Sequence, residues 1–302
     1  PYTVIERLGV GGMGTVLRVS DPSGRHLALK LLAPTADRDA HVRFEREGQV
    51  TAALRHPGIV EIYGAGRAGE QPYLVYELVE GKDLKQQLPQ LSRDERLTVV
   101  LAVAHALGYA HKQGVVHRDV KPANILIGDD DRVLVADFGL AQAAGLERLT
   151  LTGTVVGTPR SMSPEQFSGH SRDYGPETDV WALGALLYEV LTDQSPFPGA
   201  TLAELMAQIL AAKPTPPREL DASIPIAIQA VCEKALRKLP EDRYSDGAAF
   251  AEALETACRG AAEGNPLIRG ALILALIVAV FAAVTLAGLA QPTPDRPASA
   301  GG

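Results

Sequence analysis

The sequence predicts an α+β fold in two lobes, an antiparallel sheet with one helix followed by a mainly helical part, and then one transmembrane helix. Three observations lead there. β-forming segments crowd residues 1–79, helical spacing governs residues 80–258, and residues 271–290 carry no charge at all. A strand-rich part before a helical part fits two packed lobes better than an alternating βαβ chain.

The first lobe is read from short clusters of β-formers. Tyr2–Leu8, Thr15–Val19 and Leu27–Leu32 are separated by turns containing Gly and Pro, and Val60–Tyr63 and Tyr73–Tyr76 complete the set. Between them, His41–Leu54 places apolar residues at helical spacing and stops at His56-Pro57. After Gly81 the period changes. Ser92 caps a helix whose Leu97, Leu101, Ala104 and Leu107 share one face and which ends near Gly114. Short strands are expected at Ile125–Ile127 and Val133–Ala136 around the turn Asp129-Asp130-Asp131. Helices are expected at Thr178–Leu191, Thr201–Ala211, Pro225–Leu239 and Gly247–Ala257. The two lobes should leave a cleft near Glu77–Asp83.

Residues 271–290 contain eleven Leu, Ile, Val or Phe. Twenty helical residues reach roughly 30 Å, the depth of a bilayer's hydrocarbon core. A buried core helix would ordinarily keep a polar stripe, so a single membrane span is expected. A juxtamembrane linker, 259–270, precedes it. A short disordered extracytoplasmic tail, 291–302, follows it and is expected to be truncated.

Composition narrows the function by exclusion. A hydrophobic content of 46% supports a full core, and a net charge of −7 argues against a general nucleic-acid binder. Cys232 and Cys258 lack CxxC spacing, and the seven histidines form no HxxxH or HExxH pair. Neither a disulfide framework nor a zinc site is expected.

Chemistry concentrates in four places. Gly9-Val10-Gly11-Gly12-Met13-Gly14-Thr15-Val16 can bring backbone N–H groups close to phosphate oxygens. Strands flank it on both sides and no helix starts at Gly14, which disfavours a dinucleotide fingerprint. Lys30 lies inside an apolar strand and must meet an anion or remain on a solvated edge; Glu47, on the next helix, is the natural partner. His117-Arg118-Asp119-Val120-Lys121-Pro122-Ala123-Asn124 brings together a hydroxyl-proton acceptor, a cation for a phosphoryl oxygen and a metal-binding amide. Asp137-Phe138-Gly139 follows with a second metal-binding group, a set that suits magnesium completed by phosphate oxygens.

From Tyr2 to Ala257 the chain resembles the protein kinase superfamily, with these motifs in their order. Through Ser163-Pro164-Glu165-Gln166 it is similar to the eukaryotic-like Ser/Thr kinases of bacteria, many of them transmembrane. The resemblance implies a two-lobed kinase fold and transfer of the ATP γ-phosphate to Ser/Thr hydroxyls of proteins. Magnesium would be the cofactor, with manganese able to substitute. It also implies roles. Gly9, Val10, Gly11, Gly12 and Gly14 would cover the phosphates, while Val16 and Ala28 would hold adenine against Leu126. Lys30, oriented by Glu47, would bind the α- and β-phosphates. Tyr76 would stand at the back of the adenine pocket, Glu77 and Val79 would bond adenine through their backbone, and Asp83 would reach the ribose. Asp119 would orient the acceptor hydroxyl, Lys121 would lie near the transferred phosphate, and Asn124 and Asp137 would hold the metal. His117 would pack. Thr158 would mark Ser/Thr specificity, and Glu165 with Arg243, and Asp179, would be supports.

Thr150 and Thr152 fall where related kinases autophosphorylate, and Arg118 could receive their phosphates. Gln142 stands where relatives have a basic residue, which leaves the phosphate pocket one cation short, so activation should depend on that phosphorylation less steeply; Ser161 stands where they have Tyr, a departure at the substrate-docking surface. A pseudokinase would normally lack one of Lys30, Asp119, Asn124 or Asp137. A small-molecule kinase would lack counterparts of Gly157-Thr158 and Ser163-Pro164-Glu165. The expected setting is the cell membrane, single-pass, with the catalytic part cytoplasmic, and homodimerisation is open.

Overall fold

A computed structural model describes residues 2–11, 14–33, 48, 50–69, 71–138, 160–167 and 174–263. They fall in two units, 1–257 and 258–302, and the second contributes here only the end of one helix.

The first lobe is a five-stranded antiparallel sheet. Its strands are β1 (Thr3–Gly11), β2 (Gly14–Ser20), β3 (His26–Leu32), β4 (Ile62–Ala68) and β5 (Gln71–Glu77), in the order β1-β2-β3-β5-β4. Strand alternation gives the sheet two unlike faces. Val19, Leu27, Leu29 and Val75 pack on one side with Leu17 and Leu31. Leu32, Leu74, Tyr76, Val60, Ile62 and Leu134 pack on the other, joined by Ala28, Val79 and Leu126. The second face looks into the cleft, because Leu134 and Leu126 belong to the next lobe. The predicted helix 41–54 lies almost wholly outside the described residues.

A small sheet opens the second lobe: β6 (Gly81–Asp83), β7 (Ile125–Gly128) and β8 (Val133–Val135). β6 is absent from the sequence reading because three residues are too few to show a period. The helices are α1 (Leu84–Gln87), α2 (Arg93–Lys112), α3 (Pro164–Phe167), α4 (Pro176–Thr192), α5 (Leu202–Ala211), α6 (Pro217–Leu220), α7 (Ile226–Ala235) and α8 (Gly247–Glu263). α2 begins with a reciprocal capping box, in which the Ser92 hydroxyl accepts from the Glu95 N–H and the Glu95 carboxylate accepts from the Ser92 N–H. α4 is buried on nearly every side, the pattern of a helix at the centre of a lobe. Arg96 closes its C-terminus by binding the Val190 carbonyl and Asp193.

One helix is shorter than expected. α7 stops at Ala235, not Leu239. Pro240 holds Leu239 extended at ψ 130°, and its ring would clash with the carbonyl four residues back if the helix continued. Among the described residues no helix is long and apolar enough to cross a membrane. The predicted span at 271–290 lies outside them.

Candidate active site

The loop after α2 owes its shape to one buried carboxylate. Asp179, fully buried in α4, accepts the His117 N–H at 2.7 Å and the His111 Nε2–H at 2.9 Å on Oδ2, and the Arg118 N–H at 2.7 Å on Oδ1. Burial alone would raise its pKa; the hydrogen bond from His111 and its neighbours outweigh that and hold it below the usual range. His111 is fixed in turn, because its Nδ1 accepts the Gly247 N–H at 3.0 Å. These bonds help keep Arg118 at φ 69°, a left-handed conformation uncommon for any residue but glycine. The Arg118 carbonyl accepts from Gln166 Nε2 at 2.9 Å.

Asp119, Lys121 and Asn124 come together on this loop. Lys121 Nζ lies 2.6 Å from Asp119 Oδ2, and Asn124 Nδ2 donates to the same oxygen at 3.0 Å and to the Asp119 carbonyl at 2.8 Å. Asn124 thus spends its nitrogen on Asp119, which leaves its carbonyl oxygen for a cation. His117 packs 4.5 Å from the Phe138 ring. Its Nε2 contacts the Ala136 carbonyl at 2.8 Å and its Nδ1 the Asp119 N–H at 3.2 Å. A carbonyl can only accept and an N–H can only donate, so both contacts are satisfied when Nε2 donates and Nδ1 accepts, and both ring nitrogens are tied to backbone groups.

Across the cleft, Lys30 Nζ meets Asp137 Oδ2 at 2.6 Å. The predicted partner Glu47 lies outside the described residues, as do Gly12, Thr150, Thr152 and Thr158. Gln142 does too. Ala28, Val79 and Leu126 line the cleft-side core, and Val16 is partly buried on the same face as Ala28. Tyr76 is 8% exposed, and burial first, then Asp137, pushes its pKa well up. Glu77 donates its N–H to the Glu61 carbonyl, and its carboxylate receives Arg132 Nη2 at 2.9 Å. Asp83 serves as N-cap of α1, with both carboxylate oxygens bonded to Gln86 at 2.9 and 2.8 Å.

The three described glycines of the first motif differ in kind. A Cβ on Gly9 or Gly11 would meet nothing within 4 Å, so that ribbon is open to a ligand. A Cβ on Gly14 would lie 2.0 Å from the Leu31 carbonyl oxygen, at φ 142°. Gly14 is therefore required by the pairing of β2 with β3, before any phosphate is considered. Val10, between the open positions, is 69% exposed.

Glu165 and Arg243 form a buried bidentate pair at 2.8 and 2.9 Å. The other Arg243 donors reach the carbonyls of Glu177, Arg237 and Lys238, so all five N–H groups are used. A groove of about 430 Å³ opens beside Lys121, with Lys85, Arg160, Ser161 and Glu189 among its walls. Burial raises the Glu189 pKa, against the pull of Arg160 and Lys85.

Several of these contacts carry no sequence signal. Lys30–Asp137 joins residues 107 apart, and His111 reads as an ordinary last-turn histidine. Gln166 was legible only as part of its tetrapeptide.

The protein kinase domain model matches residues 2–257. The chain is 39% identical over 259 residues to the serine/threonine-protein kinase PknB of Mycobacterium tuberculosis, covering 82% of this chain and 41% of that protein. It is 36% identical over 251 residues to a probable serine/threonine-protein kinase of Clostridium acetobutylicum, covering 81% and 38%. It spans about two fifths of the length of these curated relatives. The crystal structure of the M. tuberculosis PknI kinase domain superposes with a TM-score of 0.69 at 30% identity, covering 85% of this chain and 96% of that one. With the two-lobed fold and the match over residues 2–257, the chain belongs to the protein kinase family.

Proposed function

We propose that this chain is an active protein serine/threonine kinase that transfers the γ-phosphate of ATP to protein hydroxyls. One observation carries the reading: Asp119, Lys121 and Asn124 converge on one carboxylate oxygen, opposite Lys30 and Asp137. Asp119 orients the acceptor hydroxyl and takes its proton as that oxygen bonds to the γ-phosphorus. The bond to the β-phosphate oxygen breaks and ADP leaves. Lys121 offsets charge on the transferred group, and Lys30 turns from Asp137 to the α- and β-phosphates. The groove beside Lys121 receives the acceptor segment.

The family uses ATP with a divalent metal, and the residues fit one. The Asn124 carbonyl oxygen and the Asp137 carboxylate are hard donors of the type magnesium takes. Among the described residues no cluster of three or more His, Cys, Asp or Glu could hold a metal; magnesium held by Asn124 and Asp137 would take phosphate and water oxygens as its other ligands. Bound magnesium neutralises charge on the phosphate oxygens.

Adenine is assigned to the space between Val16 with Ala28 and Leu126, against Tyr76 and the backbone of Glu77 and Val79. Phosphorylation of Thr150 and Thr152, read through Arg118, is the proposed activation step. Residues 271–290 are proposed to anchor the chain in the cell membrane with residues 1–257 cytoplasmic.

Incubation with Mg-ATP followed by mass spectrometry should find phosphate on the parent and none on Asp119→Asn. A parent that labels neither itself nor protein substrates sinks the kinase reading. Equal activity of Thr150→Ala/Thr152→Ala and the parent removes the activation step. The anchor predicts that deleting 271–290 moves the chain from the membrane to the soluble fraction, and an unchanged distribution refutes it.

A further inference from the structure

The outer edge of the nucleotide cleft is spanned by an ion pair that the catalytic motifs do not include. Arg18 lies on β2 two residues after Val16, so their side chains leave the strand on one face. The register sets Arg18 opposite Ala28 of β3, and Ala28 packs on the cleft side with Tyr76, Val79 and Leu126. Arg18 therefore points toward the adenine space and not toward the outer core, where Leu17 and Val19 go. Its Nη2 binds Glu80 Oε1, on the chain that leaves β5 for the second lobe. Its Nε lies 3.4 Å from Glu6 Oε1 of β1, outside hydrogen-bond geometry, and is buried without a hydrogen bond among the described residues.

The Glu80 side is itself anchored. The Glu80 carbonyl accepts the Asp129 N–H at 2.8 Å, in the turn between β7 and β8. A guanidinium from one lobe is thus joined to the chain entering the other, on the sheet face that carries Val16 and Ala28. Arg presents a flat, weakly hydrated cation that lies well against aromatic rings, and its buried Nε makes only the long 3.4 Å contact with Glu6.

We propose that Arg18, held by Glu80, is a nucleotide-positioning residue that walls the outer edge of the purine site and slows nucleotide release. The inference rests on the adenine placement proposed above. It asks nothing of Asp119 or Lys121, so its effect falls on nucleotide binding and leaves the transfer step alone. Partial exposure keeps the contribution of the ion pair small, and the contact of one guanidinium with a purine face is of the same modest order. We expect release to change by about three- to tenfold.

The test is stopped-flow release of a fluorescent N-methylanthraniloyl ADP, with magnesium, from the full chain and from Arg18→Leu, Glu80→Gln and the swapped pair Arg18→Glu/Glu80→Arg. Arg18→Leu should release the nucleotide about three- to tenfold faster and raise KM for ATP by a similar factor. KM for a protein substrate and kcat at saturating ATP should stay within about twofold of the parent. Glu80→Gln should move in the same direction by less, and Arg18→Lys should recover part of the loss. Release unchanged in Arg18→Leu, with melting temperature alone shifted, makes the pair a surface staple and overturns the inference. Faster release in the swapped pair than in Arg18→Leu also counts against it, since a restored bridge should retain nucleotide. If the parent binds no labelled nucleotide, it is the kinase reading that falls.

Discussion

Replacing Arg243 with Met should be among the most damaging single changes outside the cleft. Met fills much of the Arg volume without a charge, so the loss is electrostatic rather than a void. Arg243 has no exposed side-chain surface and Glu165 is 10% exposed. The variant strips a cation from a buried carboxylate and a donor from each of the Glu177, Arg237 and Lys238 carbonyls. Breaking a buried pair from one side costs about 3–5 kcal/mol, and at roughly 2–4 °C per kcal/mol for a domain of this size the melting temperature should fall by about 6–20 °C. Urea denaturation at neutral pH gives the number directly. The pH dependence supplies a sign. Burial alone would raise the Glu165 pKa, but Arg243 holds it below the usual range. The pair's contribution is therefore full above the ordinary carboxylate range and lost as pH falls through the folded pKa. The parent should weaken on acidification more than Arg243→Met does. The double variant Glu165→Met/Arg243→Met should be more stable than Arg243→Met, since no charge is then stranded. A loss below about 1.5 kcal/mol in the single variant, or a double variant worse than the single, would refute the reasoning.

Three further outcomes follow from the same geometry. Gly14→Ala should lose about 2–4 kcal/mol in denaturant even without nucleotide, from strained φ and overlap with the Leu31 carbonyl. Gly11→Ala should stay within about 0.5 kcal/mol while weakening ATP binding; equal stability of the two variants contradicts the distinction. Asp179→Asn should lose about 2–4 kcal/mol and most activity, because the amide nitrogen faces an N–H whichever way it turns. Its stability should also fall less than the parent's below about pH 4, since the lowered Asp179 pKa makes its contribution an acid-sensitive one. By contrast Arg132→Ala, which removes the partly exposed bridge to Glu77, should cost no more than about 1 kcal/mol by thermal melting.

Most strands and helices were legible because their periods were long enough to show. β2, β3 and β5 gave clusters of β-formers, and α2 announced itself through Ser92 and a sustained apolar face. Where the reading slipped, the reason was local. β6 is three residues long, and α7 was extended past the point where Pro240 forbids it. The site divides the same way. Asp119, Lys121 and Asn124 lie within five residues, so their meeting is written in the loop itself. Lys30 and Asp137 are brought together only by closure of one lobe on the other, and no spacing rule records that. Gly14 gives a subtler case: its position in the motif suggested phosphate, while its surroundings show a constraint from β3. Arg18 was passed over because a lone arginine in a strand resembles any solvated residue until the register shows which way it points.

The grip of Asp179 on the loop has a consequence for how signalling could be added to such a domain. The anchors at residues 117 and 118 are amide hydrogens and a carbonyl, which every residue except proline supplies in full. The hydrogen bonds that hold the catalytic strip thus do not depend on the side chain planted at 118. Natural variation could rewrite that side chain, and with it the dialect in which an upstream phosphate is heard, while the hydroxyl-activating carboxylate one residue later keeps its aim.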